Sequence, residues 1–440
     1  MKREVGSDFP IHALIYKKDF VRLVQYFKRG AISADDLNQR DLRGNTPIIL
    51  AAKLSPFDDE YLKAVNYLFE KGANGKLRDS NGWSLMDEAI SQQNTRLLAI
   101  AFDQLNKRKK DRWERTKLTI FRKLKLIPDF YVELHWECQS TWIPFLSKIA
   151  PNDTFQIWKV GSFLRLDFSL VGFSKLQTKR RRMSILFRDT SEVEDDYKHI
   201  DIMLVNKDRK ILVNPLEDLD MDEKLAVLTD IINSEPLQNE LNIEEQEWRE
   251  CRSFLGNLVQ ETVNEYLCTK YKVIVKAHAL QRKKVHQRLE LPYEEYFNQE
   301  KSSADAQAAV KVAKDVKKVV ESQLWLSNEF PLKISNFLTV LKTLSIGGNA
   351  NMSKLKDFLK NQSLKEVITQ NGFPVKVQIP IGLLIKATVD FNKFQYLHNT
   401  PEYVKEIFSV PADCQYVSRK EGMKTLQNKK KRLAMANVAT

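Results

Sequence analysis

Two stretches of this chain are copies of one another: residues 38–52 read NQRDLRGNTPIILAA and residues 76–89 read KLRDSNGWSLMDEA. In each, a polar turn closes on a glycine, Gly44 or Gly82, with Asp41 or Asp79 at the matching earlier position, and a short apolar helix start follows. A fainter third copy, FPIHAL at 9–14, lies upstream; Pro10 precedes Pro47 by 37 residues and Gly44 precedes Gly82 by 38. A period of this length constrains the fold strongly, because one such unit cannot bury its own apolar face and must stack on its neighbours.

The spacing is slightly longer than the roughly 33 residues of an ankyrin repeat, and the stretch SPFDDE at 55–60 accounts for the excess. Leu14, Ile15, Phe20, Leu23, Val24 and Phe27 fall largely on one helical face, ending at Gly30; Tyr61, Leu62, Val65, Leu68 and Phe69 repeat the pattern up to Gly72, and Leu97, Leu98, Ile100, Ala101 and Leu105 close the block. This predicts three stacked helix pairs, near the minimum for such an array and dependent on a neighbour for stability. Ankyrin arrays bind partners through turn tips and inner helices. The corresponding candidates are Asp41, Arg43, Asn45, Asp79, Asn81 and Trp83, with packing between repeats as the alternative for Trp83.

A basic helix is expected over 107–126, after which the period changes to two. Phe130, Val132 and Leu134 alternate with Tyr131, Glu133 and His135, and further strands are expected at 163–170, 184–187, 200–205 and 210–213. Helices are expected at 222–232 and 244–258, a strand at 271–275, a long exposed helix over the Ala- and Lys-rich 301–326, another helix from 329 to 344, and a hairpin from 375–380 and 385–394. The expected class is α+β: a short N-terminal ankyrin-repeat helical array (1–106), a basic linking helix (107–128), a larger antiparallel-sheet domain with packed helices (129–412) and a basic tail (413–440).

At 440 residues the chain is long enough for two or three domains, and its net charge of +13 favours anionic partners, nucleic acid and acidic lipid surfaces being the usual candidates. Cys138, Cys251, Cys268 and Cys414 are widely spaced without histidines beside them, against a zinc site or a disulfide framework and for a reducing compartment. No stretch approaches the roughly 18 apolar residues of a membrane-spanning helix, and MKREVGSDFP lacks a signal-peptide core, so secretion is not expected.

No P-loop, dinucleotide or zinc-protease string occurs, and no catalytic, cofactor or metal residues are expected. Basic runs stand at 107–110, 179–182, 282–284 and 429–432; Lys179, Arg180, Arg181 and Arg182 are candidates for contact with an anionic membrane surface, against solvated loops or helix ends and, for the last run, a nuclear-localisation signal. Arg181-Arg182-Met183-Ser184 resembles a basophilic kinase site, against a plain loop entering a strand. The aromatics Phe130, Tyr131, Trp136, Trp142, Phe145, Phe155 and Trp158 are expected in a core, the rival being a groove for apolar segments of a partner, and His135 is expected to be structural.

Six strings in order, GNTP at 44–47, GWS at 82–84, DFYVELHW at 129–136, WIP at 142–144, EFPL at 329–332 and GFPVKV at 372–377, resemble the ankyrin repeat domain-containing protein 13 family, whose post-repeat region is called the GPCR-chaperone domain. The resemblance runs from about Pro10 to Val377. It implies a non-enzymatic protein acting on membrane-receptor clients. One branch is associated with the cytoplasmic face of the endoplasmic reticulum and with receptor folding and exit; others carry C-terminal ubiquitin-interacting motifs and act in endocytosis. Such a motif needs an acidic patch, whereas Glu421 is the only acid between 419 and 432, so the chain resembles the endoplasmic-reticulum branch. The histidine that follows Thr-Pro-Leu in ankyrin repeats is kept as His12 but is Ile49 and Asp87 in the clearer copies, and the match is weak between 192 and 247.

The leading expectation is an adaptor or chaperone, peripheral to the endoplasmic reticulum, that binds cytoplasmic segments of membrane-protein clients, G-protein-coupled receptors among them. A ubiquitin-dependent endocytic adaptor and a nucleic-acid-binding protein stand as rivals. The basic tail argues against the first, and the lack of RRM, helix-turn-helix or zinc-finger signatures against the second.

Overall fold

A computed structural model describes residues 6–30, 32–140, 151–174, 177–234, 237–285, 289–298, 310–347, 356, 359, 362–380, 385–398 and 400–417. Trp142, Phe145, the WIP string, residues 301–309 of the expected long helix and the basic tail from 418 onward lie outside them. The chain is α+β, with a large, mostly antiparallel sheet. It divides into two compact units: a helical one formed by Met1–Arg112, Asp220–Glu240 and Leu280–Asp315, and a sheet one formed by Trp113–Leu219, Leu241–Ala279 and Val316–Thr440.

The helical unit contains α1 (Pro10–Tyr16), α2 (Phe20–Arg29), α3 (Ala34–Asn38), α4 (Pro47–Leu54), α5 (Glu60–Glu70) and α6 (Leu85–Ser91), then the first part of α7 (Thr95–Lys125). Later parts of the chain add α8 (Met221–Ile232) and α9 (Tyr293–Asn298). Local chemistry starts these helices. Pro10 and Pro47 stand in first turns, where the missing N–H costs nothing, and Ser33 and Ser84 form capping boxes with Asp36 and Asp87. α4 is the centre of the packing, with Ile48 to Ala52 at 1% exposure or less. Ile15, Leu23, Val65, Leu68, Leu85, Leu97 and Leu98 pack in the same core, joined by Leu228, Ile232, Tyr296 and Phe297 from the distant segments.

The sheet has the order β13-β6-β5-β4-β3-β2-β1-β12-β11-β10-β9-β7, with β8 paired to β9. The strands are β1 (Phe130–Ser140), β2 (Asn152–Val160), β3 (Phe163–Ser174), β4 (Gln177–Phe187), β5 (Ile202–Asn206), β6 (Ile211–Val213), β7 (Leu237–Glu250), β8 (Gln260–Val263), β9 (Tyr266–Lys284), β10 (Val310–Ser327), β11 (Phe373–Pro380), β12 (Ile385–Tyr396) and β13 (Gln415–Tyr416). The pairing of β13 with β6 is parallel. Helices α10 (Ile334–Leu344), α11 (Gln362–Asn371) and α12 (Pro401–Phe408) complete this unit.

Alternation along β1 divides the two faces of the sheet. Phe130, Val132 and Leu134 are buried, with Val132 opposite Ile157 and Leu134 opposite Phe155, and the second half of α7 adds Trp113, Phe121 and Leu124 to that core. Phe130, Tyr131 and Phe155 of the aromatic set are buried, and Trp136 and Trp158 are half-buried, as a core requires. Strings remote in sequence meet here: Phe330 stacks on Phe373 at 4.1 Å, and Phe337, Phe391 and Phe394 pack around them. Asp129 accepts from Lys159 Nζ at 2.7 Å and from the Gly161 N–H at 2.8 Å, so the opening acid of the DFYVELHW string holds the β2–β3 turn.

Two expected helices are strands. Residues 244–258 enter β7, which ends at Glu250 and leads into a turn, and residues 310–326 lie in β10. In β10 the valines at 310, 312, 316, 319 and 320 favour a pleated strand, and β10 pairs with β11 from Leu324 to Ser327. The expected start of the basic helix at 107 is internal to α7, which runs unbroken from Thr95 to Lys125.

Candidate functional site

The sequence copies are also copies in hydrogen bonding. Asp41 Oδ1 accepts from the N–H groups of Arg43 (3.0 Å) and Asn45 (2.9 Å), while the Gly44 N–H donates to the Asp41 carbonyl (2.9 Å). Asp79 Oδ1 accepts from Asn81 and Trp83, both at 2.9 Å, and the Gly82 N–H donates to the Asp79 carbonyl at 2.9 Å. The side chain replaces a backbone acceptor, which is why aspartate opens each turn. Gly44 takes φ +75°, and a Cβ there would meet Ser80 Cβ at 2.4 Å.

These turns are occupied by the unit's own residues. The Tyr296 hydroxyl donates to Asp41 Oδ2 at 2.5 Å and accepts from Asn45 Nδ2 at 3.0 Å, and Arg43 Nε donates to the Tyr296 carbonyl at 3.3 Å. His12 Nε2 bonds the Asn45 carbonyl at 2.9 Å, and Lys53 joins the turns by donating to Asn45 Oδ1 (2.7 Å) and Asp79 Oδ2 (3.0 Å). Beneath them, Lys284 pairs with Glu88 at 2.9 Å and lies 5.6 Å from the centroid of the Trp83 ring.

Burial by itself would raise the Asp79 and Glu88 carboxyls. The cations outweigh it, Lys53 above all for Asp79 and Lys284 for Glu88, and hold both below the usual carboxylate range. Burial pushes Tyr296 well above the ordinary phenol value, reinforced by Asp41, and lowers His12 against the opposing pull of Asp41.

Of the expected partner-binding residues, Asp41, Arg43, Asn45, Asp79 and Trp83 are therefore buried, and Asn81 is half-buried. The side chains of Asp41, Arg43, Asn45 and Asp79 are engaged within the unit and Trp83 is packed in it, while Asn81 bonds to Asp79 through its backbone N–H. No motif in the sequence points to Tyr296, Lys284, Lys53 or Glu88. The aromatic spacing of YEEYF at 293–297 was the available signal, but nothing local connects it to a turn some 250 residues earlier.

In the sheet unit, an open cleft of about 510 Å³ crosses β1 to β4. It is lined by His135, Thr154, Gln156, Asp167, Arg180, Arg182 and Lys207 among others. His135 Nδ1 bonds Thr154 Oγ1 at 3.0 Å. Asp167 is held by Arg165 (2.8 Å) and Lys207 (2.7 Å), which outweigh the effect of burial and lower its pKa. Arg180 donates to Ser169 Oγ at 2.8 Å and Asn152 Oδ1 at 2.7 Å, and Arg182 pairs with Asp208 at 2.6 Å.

The β4 run is thus split by the pleat. Arg180 and Arg182 line the cleft, while Lys179 is exposed and Arg181 half-buried at the intervening positions. Ser184, two residues further, is only 2% exposed within β4, so the strand reading holds there and a kinase could not reach it as folded. Lys284 of the 282–284 run is consumed by Glu88.

A family model described as "ANKRD13 C-terminal" matches residues 165–311 and 278–436. Ankyrin repeat domain-containing protein 13C of Xenopus tropicalis is 26% identical over 445 residues, covering 92% of this chain and 82% of that protein. Ankyrin repeat domain-containing protein 13B of Homo sapiens is 25% identical over 434 residues, covering 87% of this chain and 67% of that protein. Among solved structures, a LolA superfamily protein from Nitrosomonas europaea aligns with 66% of this chain and 96% of its own at 8% identity. Its TM-score of 0.19 is too low to carry an argument.

Proposed function

The chain belongs to the ankyrin repeat domain-containing protein 13 family, and from that premise we propose a non-enzymatic adaptor or chaperone that binds cytoplasmic segments of membrane-protein clients at the endoplasmic reticulum. We read α1 to α6 as a short ankyrin array, supported by the matched hydrogen bonding of its two aspartate turns and completed by residues 220–240 and 280–315. The observation that carries the client reading is a contrast in accessibility. The polar tips of the array are buried, whereas the cleft over β1 to β4 is open, with Arg180 and Arg182 exposed along it and Lys207 beside the half-buried Asp167. A surface of mixed sign suits a polar peptide segment, whose charges it can match and orient.

The test is capture of the full chain by immobilised cytoplasmic segments of receptors, with scrambled segments as control. Arg182→Gln, which removes one exposed ion pair, is expected to weaken capture on the order of tenfold while leaving the melting curve close to that of the parent. Equal capture by scrambled segments would remove the client reading, and undiminished capture by the variant would move the contact away from the cleft.

A further inference from the structure

Phe254 is 105% exposed and Leu255 83%, side by side at the tip of a turn, with Leu258 at 41% behind them. The turn is tightly built. The Gly256 N–H donates to the Ser253 carbonyl at 2.9 Å, the Ser253 N–H to Asn257 at 2.8 Å and the Val259 N–H to Cys251 at 2.7 Å. Arg252 caps the Gly256 carbonyl at 2.8 Å and pairs with Glu250 at 2.6 Å. Gly256, at φ +81°, takes the left-handed position, so the hairpin geometry is satisfied without help from the two residues before it. Turn centres are normally filled by Pro, Gly, Asn, Asp or Ser, each for a backbone reason. Phe and Leu supply none of those reasons, and at such exposure Phe254 adds nothing to the core. A local rule broken without structural gain points to function.

We propose that the Phe254-Leu255 tip inserts into the interface of a bilayer carrying anionic lipid; the inference rests on the reading of this chain as a membrane-peripheral adaptor. Three observations select a bilayer as the occupant. The tip is a convex point of two side chains with charged Arg252 and Glu250 directly behind it, whereas a stable protein interface needs about 800 Å² per partner around an apolar centre. The backbone groups that flank the tip are hydrogen-bonded within the turn, which lowers the cost of bringing it into the interface. Arg252, exposed at the base of the turn, offers a cation to lipid phosphates beside its pairing with Glu250, on a chain of net charge +13. The expected depth is about 5–10 Å, the headgroup and acyl boundary.

The experiment uses the full chain with vesicles of phosphatidylcholine alone and of phosphatidylcholine enriched in phosphatidylserine. The parent is expected to partition to the anionic vesicles, and Phe254→Ser with Leu255→Ser to lose about tenfold or more of that partition with an unchanged melting temperature. Phe254→Trp is expected to gain quenching by brominated lipid above the parent's background. Failure of the parent to bind either vesicle overturns the proposal, as does unchanged binding by the double variant or absence of added quenching in Phe254→Trp. If the double variant instead loses capture of lipid-free receptor segments while keeping vesicle binding, the tip is a protein contact and the proposal is again overturned. Capture of those segments by the parent tests the adaptor reading separately.

Discussion

A Cβ at Gly372 would lie 2.3 Å from the Ser327 carbonyl oxygen, and the residue takes φ +101°, so both space and backbone conformation demand glycine between α11 and β11. Gly372→Ala is expected to cost about 1–3 kcal/mol, read as a lowered urea midpoint. Glu88 is the other residue whose surroundings leave it little choice. A carboxylate with a depressed folded-state pKa adds stability above its unfolded pKa and loses it as the pH falls through the folded value. The contributions of Glu88 and Asp79 are therefore present at neutral pH and should fade below about pH 4. Lys284→Met reverses the sign for Glu88. With its main attraction removed, burial raises the carboxyl, and that contribution is lost as the pH rises. We expect a loss of about 3–5 kcal/mol at pH 8 and a smaller one at pH 5, measured by urea unfolding at both values.

Among the elements, β10 separates local preference from packing. The Ala- and Lys-rich run 301–326 that leads into it resembles an exposed helix in composition, yet the chain continues into Leu324, Trp325 and Leu326, which are buried and paired against β11. Leu326→Ala should cost about 2–5 kcal/mol, whereas Val312→Ala, at a position 54% exposed, should stay within about 0.5 kcal/mol. Equal effects in urea unfolding would contradict the burial gradient along this strand. The alternation in β1, the hairpin of β11 and β12 and the helix α8 were legible because their burial pattern repeats at a short period. The strand character of β7 was not legible: charged residues dominate the stretch from Asn242 to Glu250, and its place in the sheet depends on β9, a different part of the chain.

For the whole molecule, the helical unit draws on segments spread over the chain. Residues 1–112 alone would lack Leu228, Ile232, Lys284, Tyr296 and Phe297, leaving the apolar core uncovered and removing the Lys284–Glu88 pair. That fragment is expected to melt without a cooperative transition and to bind a hydrophobic dye, while the full chain melts cooperatively; circular dichroism and dye fluorescence check both outcomes. Sequence alone determined the features written among near neighbours: the aspartate turns and their glycines, the helical stripes, the strand alternation and the ordered strings that identify the family. Tertiary structure decided what those features face. Tyr296 closes the first turn expected to meet a partner, Lys53 and Lys284 lie against the second, and an open polar cleft crosses β1 to β4, because burial joins residues hundreds of positions apart by packing and hydrogen bonding that no short window of sequence contains.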